Sequence, residues 1–199
     1  MLLEWLFVPL GYLLGSLSAA IIVCRLMGLP DPRSDGSGNP GATNVLRLGG
    51  KTAAALTLLG DVLKGVIPVA LAQAAGAPEA LVAATALAAF LGHLFPIFFG
   101  FRGGKGVATG FGAIIALMPL LAAAVLATWL LVAAVSRISS LGAISAAVLT
   151  PLFAWLLDAT PTTVALLAVL SLFLLWRHQG NIRNLAAGTE PRIGQKHKA

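Results

Sequence analysis

Val107–Val135 reads VATGFGAIIALMPLLAAAVLATWLLVAAV, 29 residues without a charge. A helix crosses the hydrocarbon core of a bilayer with about 20 apolar residues. The stretch is therefore one strongly tilted helix or two short ones broken near Met118-Pro119. That choice sets the topology of the whole chain. Other apolar runs flank it: about Trp5 to Met27, Thr52 to Ala75, Pro78 to near Phe101, one ending near Leu157, and a last one ending at Trp176. Between them lie polar islands at about 28–51, 102–106, 136–140 and 158–161, and a basic tail at 177–199.

Charge parity separates the two choices. With two helices in 107–135 the chain has seven spans, and the islands after spans one, three, five and seven share a face. That face collects Arg25, Arg33, Arg47, Lys51, Arg102, Lys105, Arg137, Arg177, Arg183, Arg192, Lys196 and Lys198, twelve of the thirteen basic residues. The thirteenth, Lys64, lies inside a span. The opposite face has Glu4, Glu79 and Asp158 and no cation. With one helix, Arg137 and the tail change sides and the asymmetry collapses. The positive-inside rule thus favours seven spans, two of them short, with the N-terminus periplasmic and the C-terminus cytoplasmic. A re-entrant hairpin over 107–135 gives the same parity.

Composition agrees with an all-α integral membrane protein. Of 199 residues, 58% are hydrophobic and 10% charged, and the mean hydropathy is +0.94. Soluble domains carry about 25% charged residues. The length suits a single domain, 1–199. Cys24 is the sole cysteine, so no intrachain disulfide forms. The N-terminal run lacks a basic leader, carries Glu4 and is long enough to span, unlike a signal peptide. The net charge of +6 reflects topology first and a taste for anions second.

The polar islands carry the chemistry. Gly36-Ser37-Gly38-Asn39-Pro40-Gly41-Ala42-Thr43-Asn44-Val45-Leu46-Arg47 has glycines that let consecutive N–H groups turn toward one point. Ser37, Asn39, Thr43 and Asn44 add neutral donors, and Arg47 adds a planar cation. This is the inventory of an oxyanion cradle, although the same residues also build ordinary turns. The match to G-x-G-x-x-G, with Asp61 twenty residues after Gly41, is not a dinucleotide site: a helix-like apolar run precedes it where a buried strand is required.

Gly103-Gly104-Lys105-Gly106 places a lysine between glycines ahead of a helix, where N–H groups favour anions. It is not a Walker A motif, because Phe99 stands where the first glycine belongs and Gly106 where the hydroxyl belongs. Arg102 and Lys105 could also be simple membrane anchors. His93 is either a packing residue or part of the site. Asp61 and Lys64, three apart, share a helix face within a span and suit support of a polar site more than direct chemistry. Ser139-Ser140 offers a helix N-cap or a ligand. No metal-ligand cluster and no aspartate-rich array is present, so neither a metal nor another cofactor is expected.

Three blocks together resemble a known family: the first island, then Gly92-His93 through Arg102-Gly103-Gly104-Lys105-Gly106-Val107-Ala108-Thr109, then Arg177-His178 with Asn181-Ile182 and Gly188-Thr189-Glu190. In this order and spacing the chain resembles the bacterial integral-membrane, acyl-phosphate-dependent glycerol-3-phosphate 1-acyltransferases. It departs at Asn184, where the family usually has a basic residue. The H-x-x-x-x-D motif of soluble-donor acyltransferases is missing, since Phe98 and Arg183 occupy its last position.

The resemblance implies an inner-membrane enzyme with its active site on the cytoplasmic face. It implies transfer of a fatty acyl group from acyl phosphate to the 1-hydroxyl of sn-glycerol 3-phosphate, in phospholipid biosynthesis. Carried over residue by residue, it gives Ser37, Gly38, Asn39, Gly41, Thr43 and Asn44 to acyl phosphate. Arg47, Lys105, Ser140, His178 and Asn181 go to glycerol 3-phosphate. Ser37 and His178 take the catalytic positions, and His93, Gly103, Gly104, Asp61 and Lys64 support them. The expected partners are these substrates, the bilayer and enzymes upstream and downstream in phospholipid synthesis, with no nucleic acid. The competing class is a transporter or flippase of a phosphorylated solute, which the charges within a span would suit. A non-catalytic membrane anchor leaves the polar islands without a purpose.

Overall fold

The computed structural model describes residues 3–193, so Lys196 and Lys198 of the basic tail lie outside it. The described residues form helices and no strand. A 3-10 turn, Leu3–Leu6, leads into α1 (Phe7–Gly15), α2 (Ala19–Leu26), α3 (Ala42–Ala74) and α4 (Glu79–Leu94). A second 3-10 turn, Ile97–Phe99, precedes α5 (Val107–Leu117) and α6 (Pro119–Ser136). The chain continues with α7 (Ser139–Leu156), α8 (Pro161–Arg177) and α9 (Gln179–Ala186).

The long uncharged run does break at Met118-Pro119. Proline has no N–H to donate and pushes the residue before it out of helical geometry; Met118 has φ −149° and ψ 88°. The two pieces are unequal, however. Eleven-residue α5 rises about 16 Å, half a bilayer, whereas 18-residue α6 is long enough to cross, so only one of the pair is short. Four helical stretches are long and apolar enough to span, Ala42–Ala74, Glu79–Phe99, Pro119–Ser136 and Ser139–Leu156. The number becomes six if two bent pairs each count as one span.

Those bends are departures from the sequence expectation. Trp5–Met27 is not one helix: α1 and α2 meet at a 43° bend across Ser16-Leu17-Ser18. The island at 28–51 is not all loop, because its second half is already α3, kinked at Gly50 (φ 74°). The tail contains α9, set at 59° to α8. Its glycine and two asparagines are poor helix formers, which hid it.

The chain divides between Pro119 and Leu120 into two compact units. In the first, α1 packs on α4 and α3 on α5. Helices in lipid gain nothing from hydrophobic exclusion and depend on close backbone approach through small residues. Gly15 is such a point: a Cβ there would overlap the carbonyl of Ala89. α3 shows the inversion expected of a membrane helix. Leu56, Leu59, Leu63, Ile67 and Leu71 form an exposed stripe, while Thr57, Asp61, Lys64 and Gly65 are buried. In water such a stripe would be an aggregation patch. In the second unit α7 packs its buried Ala143, Ala146, Ala147 and Thr150 side toward α8, which buries Leu166, Leu167 and Leu170. Thr160 caps α8 by accepting from the Thr163 N–H at 3.2 Å, with Pro161 in the first turn.

Candidate active site

Asn44 organises the first island. It is 1% exposed, in the first turn of α3. Its Oδ1 accepts from the Ser37 N–H at 2.8 Å. Its Nδ2 donates to the carbonyls of Pro32 at 2.9 Å and Asp35 at 3.0 Å. The amide orientation is fixed by these partners, since an N–H only donates and a carbonyl only accepts. Gly36 (φ 62°) completes the turn, and a Cβ there would overlap Asn44 Oδ1.

The loop therefore uses its own N–H groups. Gly36 donates to Asp35 Oδ1, Gly38 to the Asp35 carbonyl and Gly41 to the Asn39 carbonyl. With Ser37 engaged by Asn44, four loop donors are satisfied internally, contrary to the cradle of consecutive N–H groups expected from the glycines. What the stretch presents instead is the exposed side chains of Ser37, Thr43 and Arg47, the half-buried Asn39, and the start of α3. Thr43 and Arg47 are four apart and share an exposed helix face, whereas Asn44 and Val45 are buried.

Sequence reasoning missed a brace on this loop. Arg33 forks onto Asp31, with Nη2 2.7 Å from Oδ2, and its Nη1 donates to the Phe99 carbonyl at 3.1 Å. Hydrogen bonding from the guanidinium holds the Asp31 carboxyl down at about 2. The aspartate and arginine two apart were visible, but the carbonyl 66 residues away was not.

The second island lies against the end of α4. Gly104 donates its N–H to the His93 carbonyl at 3.2 Å. A Cβ on Gly103 would overlap that carbonyl, and one on Gly106 (φ 87°) would overlap the Phe90 ring. These glycines thus answer to close packing, which neither the anchor nor the phosphate interpretation required. Lys105 is half-buried beside the start of α5. Beneath the loop, Asp61 and Lys64 pair as their spacing implied, Nζ to Oδ1 at 2.8 Å. His93 Nδ1 stands 3.6 Å from the same oxygen. No carboxylate adjoins His93 in sequence; the fold supplies one.

Ser140, His178 and Asn181 belong to the second unit. Neither serine caps α7, whose first turn begins after Ile138. Ser140 Oγ donates instead to Glu190 Oε1 at 2.6 Å, which also accepts from Asn181 Nδ2 at 2.6 Å. Asn184 donates to Glu190 Oε2 at 3.2 Å, so the residue that departs from the family pattern joins the same carboxylate. Glu190, to which the sequence assigned no role, is the centre of this cluster. His178, 3% exposed at the α8–α9 bend, directs Nδ1 to the Leu174 carbonyl at 2.8 Å. A carbonyl can only accept, so in the neutral ring Nδ1 carries the proton and Nε2 is the acceptor. Among the described residues no group of three or more His, Cys, Asp or Glu could hold a metal.

The family model described as glycerol-3-phosphate acyltransferase matches residues 5–188. A glycerol-3-phosphate acyltransferase of Thioalkalivibrio sulfidiphilus is 59% identical, over 100% of this chain and 98% of its own length. One from Halorhodospira halophila is 54% identical, over 97% of this chain and 98% of its own. Two crystal structures superpose closely. Both are of PlsY (YgiH), an integral membrane glycerol 3-phosphate acyltransferase, in a glycerol 3-phosphate form and a lysophosphatidic acid form. The first is 38% identical with a TM-score of 0.92, covering 96% of each chain. The second is 37% identical with a TM-score of 0.90, covering 96% of this chain and 95% of the other. The matches run through all three polar blocks and the helices that carry them, and on that footing the chain belongs to the glycerol-3-phosphate acyltransferase family.

Proposed function

We infer that this protein is a membrane-embedded acyltransferase that transfers a fatty acyl group to the 1-hydroxyl of sn-glycerol 3-phosphate, giving lysophosphatidic acid for phospholipid synthesis. The observation that carries this is the end-to-end match to relatives of that name, together with a superposable structure in glycerol 3-phosphate and lysophosphatidic acid forms, the acceptor and the product of such a transfer. Family membership sets aside the transporter alternative.

The donor is acyl phosphate. The acceptor oxygen attacks the acyl carbonyl, a new ester C–O bond forms, the bond to phosphate breaks, and the proton passes to the departing phosphate. That anhydride is already activated, so transfer proceeds by substrate assistance without a dedicated base. Ser37, Asn39 and Thr43 hold the donor, on a loop that Gly38 and Gly41 let turn, with their own N–H groups bonded inside it, and that Asn44 keeps in shape rather than binding the donor itself. Arg47 and Lys105 take phosphate charge, and charge-assisted hydrogen bonds do this well without a metal. In the second unit, Ser140, His178 and Asn181 serve the acceptor. His178, whose ring is held at Nδ1 by the Leu174 carbonyl, positions the acceptor hydroxyl. The Asp61, Lys64, His93, Gly103 and Gly104 group supports the lysine loop.

The whole chain acts as one domain of seven spans, N-terminus periplasmic, in the bacterial inner membrane. The parity of basic residues supports this, and it brings the polar loops to the cytoplasm, where phosphorylated substrates are made. Enzymes that supply acyl phosphate and consume lysophosphatidic acid are its neighbours in the membrane. The test is purified protein in detergent with palmitoyl phosphate and glycerol 3-phosphate. Equal release of phosphate and acylated product is expected. Phosphate release without acylation of glycerol 3-phosphate, or no reaction, overturns the assignment.

A further inference from the structure

Three ionisable side chains meet in the interior of the first unit, where charge is expensive. Asp61 is 2%, Lys64 6% and His93 7% exposed. Breaking such a group leaves an uncompensated buried charge, while replacing it by apolar residues is often neutral or stabilising. Packing alone therefore does not call for it.

The group has direction. Lys64 Nζ donates to the Leu17 carbonyl at 2.8 Å, in the break between α1 and α2, and lies 2.8 Å from Asp61 Oδ1. The lysine thus holds one carboxylate oxygen beside His93 Nδ1 at 3.6 Å, an electrostatic contact longer than a hydrogen bond that turns this edge of the ring toward the carboxylate. Imidazole is planar and rigid, so a ring oriented at Nδ1 is also oriented at Nε2. That second nitrogen faces Gly104: a Cβ there would overlap it and lie 3.1 Å from the Pro40 carbonyl. Pro40 precedes α3 and Gly104 precedes Lys105 and α5. The ring edge stands where the two glycine-rich loops come together, and the His93 carbonyl holds the Gly104 N–H as well.

We propose that His93, oriented by the Asp61–Lys64 pair, is a positioning residue that sets the separation of the Pro40 turn and the Gly104 loop, and through it the placement of Lys105 for the acceptor's phosphate. Lys64 anchors the carboxylate to the helix break, Asp61 aims the ring, and the ring spaces the loops. Gly104 is the contact point, where a single methyl would push the lysine loop away.

This rests on the function proposed above, and its test has a readout that does not need turnover. Glycerol 3-phosphate binding is measured by calorimetry, and KM and kcat by phosphate release. The proteins are wild type, His93→Ala, His93→Gln and Gly104→Ala, each with Lys105 and with Lys105→Ala. His93→Ala and Gly104→Ala are expected to raise Kd and KM for glycerol 3-phosphate about tenfold, with kcat changed less than about threefold. His93→Gln, which keeps a polar group near the Nε2 position, is expected to recover most of the loss. In the Lys105→Ala background the same changes are expected to cost less than about twofold, since residues acting through one contact are not additive. A full tenfold effect without Lys105 overturns the proposal. So does an effect on kcat alone, or an equal loss in His93→Gln and His93→Ala. Wild-type protein that binds glycerol 3-phosphate yet forms no acylated product refutes the proposed reaction and leaves the binding cycle to decide the positioning role.

Discussion

Replacing Asn44 separates the shaping of the first loop from the strength of the fold. The side chain makes three hydrogen bonds, at 2.8, 2.9 and 3.0 Å, and all of them end on the backbone of residues 32–37. Each such bond is worth about 0.5–1.5 kcal/mol net, so Asn44→Ala removes at most about 1.5–4.5 kcal/mol. Ser37 and Asp35 are exposed, and water recovers their groups; the carbonyl of buried Pro32 is the one left stranded. A cost of about 1–3 kcal/mol remains, confined to the loop. Asn44→Asp is expected to do worse, although it is nearly isosteric. One carboxylate oxygen still accepts from Ser37, but the other faces two carbonyls that it can only repel. Gly36→Ala attacks the same contact from the other side, since its Cβ would overlap Asn44 Oδ1. The assay is kcat/KM for palmitoyl phosphate alongside the thermal midpoint in detergent. The expected order is wild type, Asn44→Ala, Asn44→Asp, with the alanine variant down about tenfold or more, as 1.4 kcal/mol implies, and its midpoint nearly unmoved. Asn44→Asp with wild-type efficiency would refute the argument.

Four further outcomes follow from the same structure. Arg47→Ala and Lys105→Ala should each lower kcat/KM at least about tenfold by removing a charge-assisted contact; Lys105→Arg should not restore it, because a forked guanidinium poorly replaces a compact ammonium packed between glycines. His178→Gln should keep much more activity than His178→Ala, and equal inactivity of the two, with an acidic limb that follows a histidine pKa, would make His178 a base instead. The Asp31–Arg33 brace sets a low-pH signature. Its carboxyl is held near 2 against about 4 in an unfolded chain, so its contribution is complete above about pH 4 and fades as pH falls toward 2. The pair is partly exposed and worth only about 0–1 kcal/mol, so the small midpoint difference between wild type and Asp31→Asn should be constant from pH 5 to about 8 and vanish near pH 2. Single cysteines at Glu79 and Asp158, on a Cys24→Ser background, should react with an impermeant reagent in intact cells while one at Gly38 stays protected; the reverse pattern would invert the topology.

The apolar runs and the break at Pro119 were legible because proline and charge are local signals. So was the Asp61–Lys64 pair, which needs only helical spacing. The bend at Ser16–Ser18 was not, because its stabilising partner, Lys64, sits 47 residues from the carbonyl it satisfies. Neither was the internal use of the loop N–H groups. Glycine says that a turn is sharp, not where its donors go, and that depended on which face of α3 Asn44 occupies. Glu190 was overlooked for a similar reason. A lone glutamate in a basic tail looks like a solvated charge until Ser140, 50 residues earlier, is brought to it.

The pairing of α1 with α4 has a consequence for how the protein is made. Tyr12 donates to the Phe95 carbonyl across 83 residues of chain, and Gly15 awaits the backbone of Ala89. Ribosomes add about 5–20 residues each second, so α1 leaves the ribosome roughly 4–17 s before its partner is complete. Through that interval its small-residue face has only lipid or the insertion machinery to rest against, and the two intervening helices must enter without closing over it. Slowing elongation between Gly15 and Ala89 lengthens the exposure of that face, whereas slowing it once α4 has left the ribosome does not. Synonymous pauses before and after α4 should therefore differ in the yield of folded enzyme, although the finished proteins are identical.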